Sequence, residues 1–332
     1  MERWKDYGLD LSQGTITGGL KTIAPLFDPI AEAIRNHSLQ EEYWHADETR
    51  WNVYAEVEGK TGKRWYLWVF RSPEAVVFII DPTRSTEVLR KFFQQKIEEA
   101  SEGEEEKIII CDRYSAYKCL AREIPWILLA FCWAHQRRDF LDLARKWPKS
   151  EKWTLDWVER IGKLYHLNNL RLEVQEDPLE FKQRDQDLRG FLDEITEKRD
   201  QHLKDEKISK DWKSPLESMK NHWIGLTLFA DRPEIPMDNN RGENAIRGPV
   251  IGRKNFFGSG SVWSAMLTAT LYTILMTLKY WEINSRLWLQ EFFKACAENG
   301  NRCPEDLSAF LPWMMDKQRL SYFREPQVIN DS

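Results

Sequence analysis

Residues 107–118 read KIIICDRYSAYK: a short run from Lys107 to Cys111 that is apolar from Ile108 on, an aspartate at its end, and a polar turn that opens a short helix at Ser115. An apolar run this short between turn residues fits a buried strand better than a helix, which needs ten or more residues to bury a face. Upstream, Trp44 to Tyr54, Arg64 to Phe70 and Ala75 to Ile80 are rich in β-branched and aromatic residues. Turn-forming stretches at 58–63 and 72–74 separate them, so they read as a three-stranded meander. A helix is expected over Ser85 to Ala100, and a further strand over Trp126 to Cys132.

The order is therefore three strands, helix, strand, helix, strand. That is the succession of a ribonuclease H-like fold, an α/β mixed sheet flanked by helices. Residues 1–44 read as helical, with Ser12 and Thr15 as caps and Pro25 and Pro29 as breaks. Between Pro148 and Pro236 the strand signal vanishes, and charged residues alternate with Trp, Leu and Ile at helical spacing, which predicts an all-helical insertion. Ser261 to Tyr280 and Ser285 to Asn299 supply two more helices that would cover the sheet.

Three segments place a carboxylate where a nuclease with two metal ions needs one: Asp47 in WHADETRW, Asp112 in the opening stretch, and Glu243 in MDNNRGENAIRG. Carboxylates that converge repel one another unless a cation sits between them. Hard divalent cations take oxygen ligands, and two of them about 3.5 to 4 Å apart clamp the attacking and leaving oxygens of a phosphoryl transfer. Each residue also has a plainer reading. Asp112 could end a strand and start a turn. Glu243 could close a capping box with Asn240, or pair with Arg247 one turn on. Asp47, in a strand flanked by Trp44 and Trp51, is costly to bury without a compensating charge.

Composition narrows the class only broadly. The 332 residues are 42% hydrophobic and 30% charged, material for one large or two ordinary domains. The longest apolar stretch, Ala265 to Leu278, is short for a bilayer span and carries four threonines, so a buried helix is expected and no membrane partner. No signal pattern opens the chain. Five cysteines without a CxxC pair fit reduced thiols in a cytoplasmic setting. The net charge of −5 neither favours nor opposes nucleic-acid binding, because acidic residues concentrate at 98–106 while Arg241, Arg247, Arg253 and Lys254 bracket Glu243. Cys132 and His135 could be half a zinc site, but no second ligand pair lies nearby in the sequence, and a structural turn is the simpler reading.

At these segments the sequence resembles the transposases of the insertion sequence 66 family. The resemblance is collinear, from YGLDLSQGTITGGL through HADET, CDRYSAYK, CWAHQRRDF and DNNRGENAIRGPVIGRKNFFGSGS to WLQEFFKACAENG and FLPW. It implies a DDE catalytic domain of ribonuclease H-like fold with Asp47, Asp112 and Glu243 as both catalytic and metal-binding triad, two Mg²⁺ (or Mn²⁺) ions as cofactors, and DNA as partner, both transposon ends and target. It also implies a homodimer or larger in the synaptic complex, accessory proteins of the same element, and work at the bacterial nucleoid. His135, Arg137, Arg138, Arg241, Arg247, Arg253 and Lys254 are candidate DNA contacts. On this reading 1–44 is an N-terminal helical segment, 45–147 the first part of the core, 148–236 the insertion, 237–300 the last catalytic helix with covering helices, and 301–332 a tail. Family members carry a helix-turn-helix and a cysteine-rich zinc-binding region ahead of the catalytic domain, and Met1 is expected near where those end. A silent DNA-binding relic or regulator of a transposable element is the alternative function; a general ribonuclease H-like nuclease fits the long motifs less well.

Overall fold

The computed structural model describes residues 8, 10–59, 62–101 and 103–324. The rest, including parts of the expected N-terminal helical segment and C-terminal tail and Glu102 of the acidic stretch, lie outside the described residues. The chain divides into two compact units, residues 1–100 with 241–332 and residues 101–240.

In the first unit, α1 (Gln13–Ile23) starts where the Ser12 hydroxyl accepts the Thr15 N–H at 3.0 Å, satisfying one of the donors a helix start leaves unpaired. A 3₁₀ turn (Ala24–Phe27) leads into α2 (Asp28–Ser38). Pro25 and Pro29 sit at the first positions of these two elements, where a missing N–H costs nothing, so the prolines start helical turns rather than interrupting one.

Strands β1 (Tyr43–Asn52), β2 (Arg64–Arg71) and β3 (Val76–Asp81) follow in antiparallel pairing, with Asp47 opposite Val69 and Trp51 opposite Trp65. Period-two alternation sorts their side chains. Trp44 and Phe70 point to one face, where α3 (Thr86–Glu99) brings Phe92 and Phe93; Phe70 stacks on Phe92 at 3.9 Å. Trp51, Val53, Leu67, Val69, Phe78 and Ile80 point to the other, joined by Ala245 and Ile246 of α10 (Asn240–Phe256) and Ala265 and Ala269 of α11 (Val262–Tyr280). Each large apolar side chain so buried contributes roughly 1.5–3 kcal/mol.

By length and composition α11 could cross a membrane. Its threonines show what it does instead. The Thr273 hydroxyl accepts the Phe78 N–H at 2.9 Å, and Thr277 accepts the Val76 N–H at 3.0 Å while donating to the Val76 carbonyl. Those main-chain groups belong to β3, the outermost strand of the meander. Beyond α11, α12 (Ser285–Glu298) is capped by Asn284 and sends Phe292 against Phe27; α13 (Lys317–Arg324) ends the described chain.

The second unit is built on parallel strands β4 (Lys107–Cys111) and β5 (Ile127–Phe131), joined through α4 (Ser115–Glu123). Every residue of β4 is buried. Helices α5 (Trp133–Lys146), α6 (Glu151–Glu173), α7 (Pro178–Lys204), α8 (Lys210–Asn221) and α9 (Trp223–Asp231) follow, and among the described residues of 148–236 there is no strand. Helix α9 lies so close on β5 that a Cβ at Gly225 would stand 2.5 Å from the Leu129 carbonyl oxygen. Phe140 stacks on Trp157, and the Trp153 and Trp157 indoles both donate to His202 Nδ1, so these tryptophans are packing groups, as their helical spacing implies. The buried Arg171 holds the end of α9 through the Phe229 and Ala230 carbonyls and pairs with Asp185 at 2.7 Å. The described residues are thus mixed α/β and mostly helical, with five strands among them, three antiparallel and two parallel.

Candidate active site

Two adjacent acids stand on β1, and the pleat sends them to opposite faces. Glu48 is buried and ion-paired with Arg84, whose Nε lies 2.7 Å from its carboxylate. Its charge is thus matched within the fold, as burial requires. Asp47 takes the face shared by Thr49, Trp51 and Val53, and its Oδ1 accepts the Glu48 N–H at 2.8 Å.

The helix covering that face is α10, and two arginines fix its direction. Arg71, opposite His45 in the strand register, donates to the Arg241 carbonyl at 3.3 Å. Arg253 donates to Thr49 Oγ1 at 3.1 Å and to the Arg50 carbonyl. The helix therefore runs parallel to β1, its first turn at the His45 end. Twelve helical residues rise about 18 Å, and five strand residues span about 17 Å, so the two advance together. Glu243, in the first turn of α10, falls alongside the part of β1 that carries Asp47. Two of the three expected carboxylates come to the same side of one strand.

The loop after α10 seals this docking. Ser259 donates its N–H to the Asn52 carbonyl at 2.8 Å, accepts the Tyr54 N–H at 2.8 Å, and its hydroxyl accepts the Trp51 indole N–H at 3.0 Å. Gly258 sits at φ +131°, and a Cβ there would stand 2.2 Å from the Asn52 carbonyl oxygen. The first glycine of the GSGS in the last motif is thus explained by close backbone approach.

Asp112 lies in the second unit, directly after β4. Its Oδ1 accepts the Tyr114 N–H at 2.8 Å, forming the turn that starts α4, so the plainer turn reading also holds. The neighbouring Arg113 is committed elsewhere, to Asp139 at 2.6 Å, Gln136 and Ser218. No cation partner of Asp112 occurs among the described residues. At the same strand end the Cys132 N–H donates to the Cys111 carbonyl, Trp133 N–H to the Met237 carbonyl, and Asn239 N–H to Cys132 Sγ at 3.3 Å. The CWAH turn therefore ties the end of β4 to residues 237–239, which lead into Glu243. Burial raises the Cys132 thiol pKa above its ordinary value, fitting a packed thiol that accepts main-chain donors.

Of the expected DNA contacts, Arg137, Arg138, Arg241, Arg247 and Lys254 are exposed and His135 is half-buried, whereas Arg253 is spent on β1. A basic cavity of about 520 Å³ beside β1, lined by Arg50, Arg64, Arg84 and Arg253 with Glu48 and Tyr66, was not legible in the sequence. Arg64 and Arg84 lie outside every motif, and only the strand register brings Arg64 opposite Asn52.

As for fit to divalent ions, the three expected ligands offer carboxylate oxygen only, the donor chemistry that Mg²⁺ and Mn²⁺ take.

Residues 1–267 match the family model "Transposase IS66 family". Among curated relatives, the chain is 25% identical to the uncharacterized protein y4hP of Sinorhizobium fredii (strain NBRC 101917 / NGR234), over 94% of this chain and 57% of that protein. It is 26% identical to the uncharacterized protein y4jD of the same organism, over 92% of this chain and 60% of that protein. It thus spans less than two thirds of the length of these relatives. No solved structure matches it.

Proposed function

The chain belongs to the transposase IS66 family, and from that premise we propose that it is a DDE transposase catalytic protein of ribonuclease H-like fold, cutting DNA at the ends of an insertion sequence and joining the freed 3′ ends to target DNA. The observation that carries this reading is the parallel docking of α10 on β1, with Asp47 and Glu243 on the same side. Asp112 is the third member of the proposed triad; its support is its position in the CDRYSAYK motif at the end of β4.

In this mechanism Asp47, Asp112 and Glu243 would hold two divalent ions, Mg²⁺ or Mn²⁺, which when bound supply Lewis-acid activation of the attacking oxygen and stabilisation of the leaving one. The protein's residues do the positioning. Arg71 and Arg253 set where Glu243 stands along β1, and the Gly258–Ser259 docking stops α10 from sliding. Arg50 and Arg64, on the rim of the basic cavity, would grip phosphates without reading sequence. The stretch 148–236 is the helical insertion ahead of the last catalytic helix. Pairing of two DNA ends calls for at least a homodimer at the nucleoid.

The test is cleavage and joining of DNA carrying the element's ends by purified protein, with the remaining length of its relatives' chains supplied in trans. Nicking at the 3′ ends in Mg²⁺ or Mn²⁺ and none in Ca²⁺ is expected. Tight end binding without turnover in any metal would overturn the proposal and leave a silent relic.

A further inference from the structure

Outside the proposed triad, one set of side chains in the first unit has the composition of a transition-metal site. His37 closes the last turn of α2, Glu41 lies in the turn that follows, and Glu74 lies in the tight turn between β2 and β3. One ligand atom from each falls within 4.8 Å of the others. Each comes from a main chain that is pinned. The Gln40 and Glu41 N–H groups bond the His37 and Ser38 carbonyls, and the Glu74 carbonyl accepts the Trp281 indole N–H at 2.8 Å. The imidazole is held coplanar against Trp313, with ring centroids 3.8 Å apart and 4° between planes, and its Nε2 lies 2.8 Å from Glu74 Oε2.

The charge count in this set does not close with protein groups alone. Two carboxylates share one imidazole, and Glu41 Oε1 is buried with no hydrogen-bond partner. Ligands about 2.1 Å from a tetrahedral ion stand about 3.4 Å apart, inside the spread observed here.

We propose that His37, Glu41 and Glu74 bind a zinc ion, with water completing its coordination, and that this ion fastens the N-terminal helical segment to the β2–β3 turn. One nitrogen and two carboxylate oxygens suit zinc better than the hard ions assigned to the triad. The ion takes the place of the hydrogen bond between His37 and Glu74, and Trp313 holds the ring in the ligating orientation.

The test is calorimetric titration of the full chain carrying Asp112→Asn with Zn²⁺ in excess Mg²⁺, so that the triad and the new site are read apart. One zinc equivalent is expected, with a rise in unfolding temperature. His37→Ala should lose that equivalent, and Glu41→Gln should weaken it about tenfold or more. Co²⁺ in place of zinc should show no thiolate charge-transfer band and should quench part of the tryptophan fluorescence, a part that Trp313→Phe removes. Absence of a zinc equivalent in the starting protein overturns the proposal. So does unchanged binding by a His37→Ala protein with native circular dichroism, which would place the ion elsewhere, as would a thiolate band.

Discussion

Gly258→Ala tests the docking of the last motif on β1 more sharply than any change to a charged residue. The added Cβ would stand 2.2 Å from the Asn52 carbonyl oxygen and 2.9 Å from the Asn52 Cβ, at a φ of +131° that side chains rarely adopt. Backbone strain of this kind costs of order 1–3 kcal/mol. Relieving the overlap means moving the loop off the strand, which gives up the Ser259–Asn52 and Tyr54–Ser259 hydrogen bonds at about 1 kcal/mol each. The sum is roughly 3–5 kcal/mol, and for a unit of this size each kcal/mol shifts the melting midpoint by about 2–4 °C, so a fall of roughly 6–20 °C is expected. Differential scanning calorimetry reads it directly. Gly260→Ala is the control, because a Cβ there meets nothing within 4 Å, and it should melt within about 2 °C of the parent. Equal midpoints for the two variants would refute the argument that close approach dictates this glycine.

Asp112→Asn removes one ligand charge from the proposed metal site, so cleavage of end-containing DNA should be lost while DNA binding, measured by its steep salt dependence, stays intact; full cleavage by the variant would sink the two-metal mechanism. Arg253→Ala frees the last turn of α10 from Thr49 and Arg50, and should lower turnover at least tenfold with little change in DNA affinity; an affinity loss alone would instead make Arg253 a phosphate contact. Burial lowers the His202 pKa, and its Nδ1 accepts from two indole N–H groups that can only donate. Its stabilising effect is therefore complete above the unfolded value near 6.5 and is lost as pH falls through the folded one, so urea midpoints should drop between pH 7 and 5 in the parent and drop less in His202→Phe.

The strands and most helices were legible in the sequence because their signals are local. KIIIC is apolar from Ile108 to Cys111 and became β4 with the expected ends, and Ser12, Asn284 and Ser261 cap helices as their residue types imply. The register was not legible. Nothing in RWYLWVFR says that Trp65 meets Trp51 or that Arg71 reaches the Arg241 carbonyl, since pairing depends on how the meander closes. The candidate carboxylates stood out through their motifs, but the face of β1 that Asp47 occupies, and the sacrifice of Glu48 to Arg84 on the other, follow only from the pleat. Arg253 shows the limit of motif reading. A basic residue beside an expected active site was read as a DNA contact, and the motif gave no sign that it also holds the main chain of a strand.

The threonines of α11 bear on how copies of this protein can associate. An outer strand with unsatisfied main-chain groups invites another molecule to lengthen the sheet. Along β3, the Val76 and Phe78 amides that such a neighbour would need are already taken by Thr277 and Thr273. The first half of this margin is closed to strand exchange, so self-assembly there must use helix and loop surfaces, which can separate and re-form without unzipping a sheet.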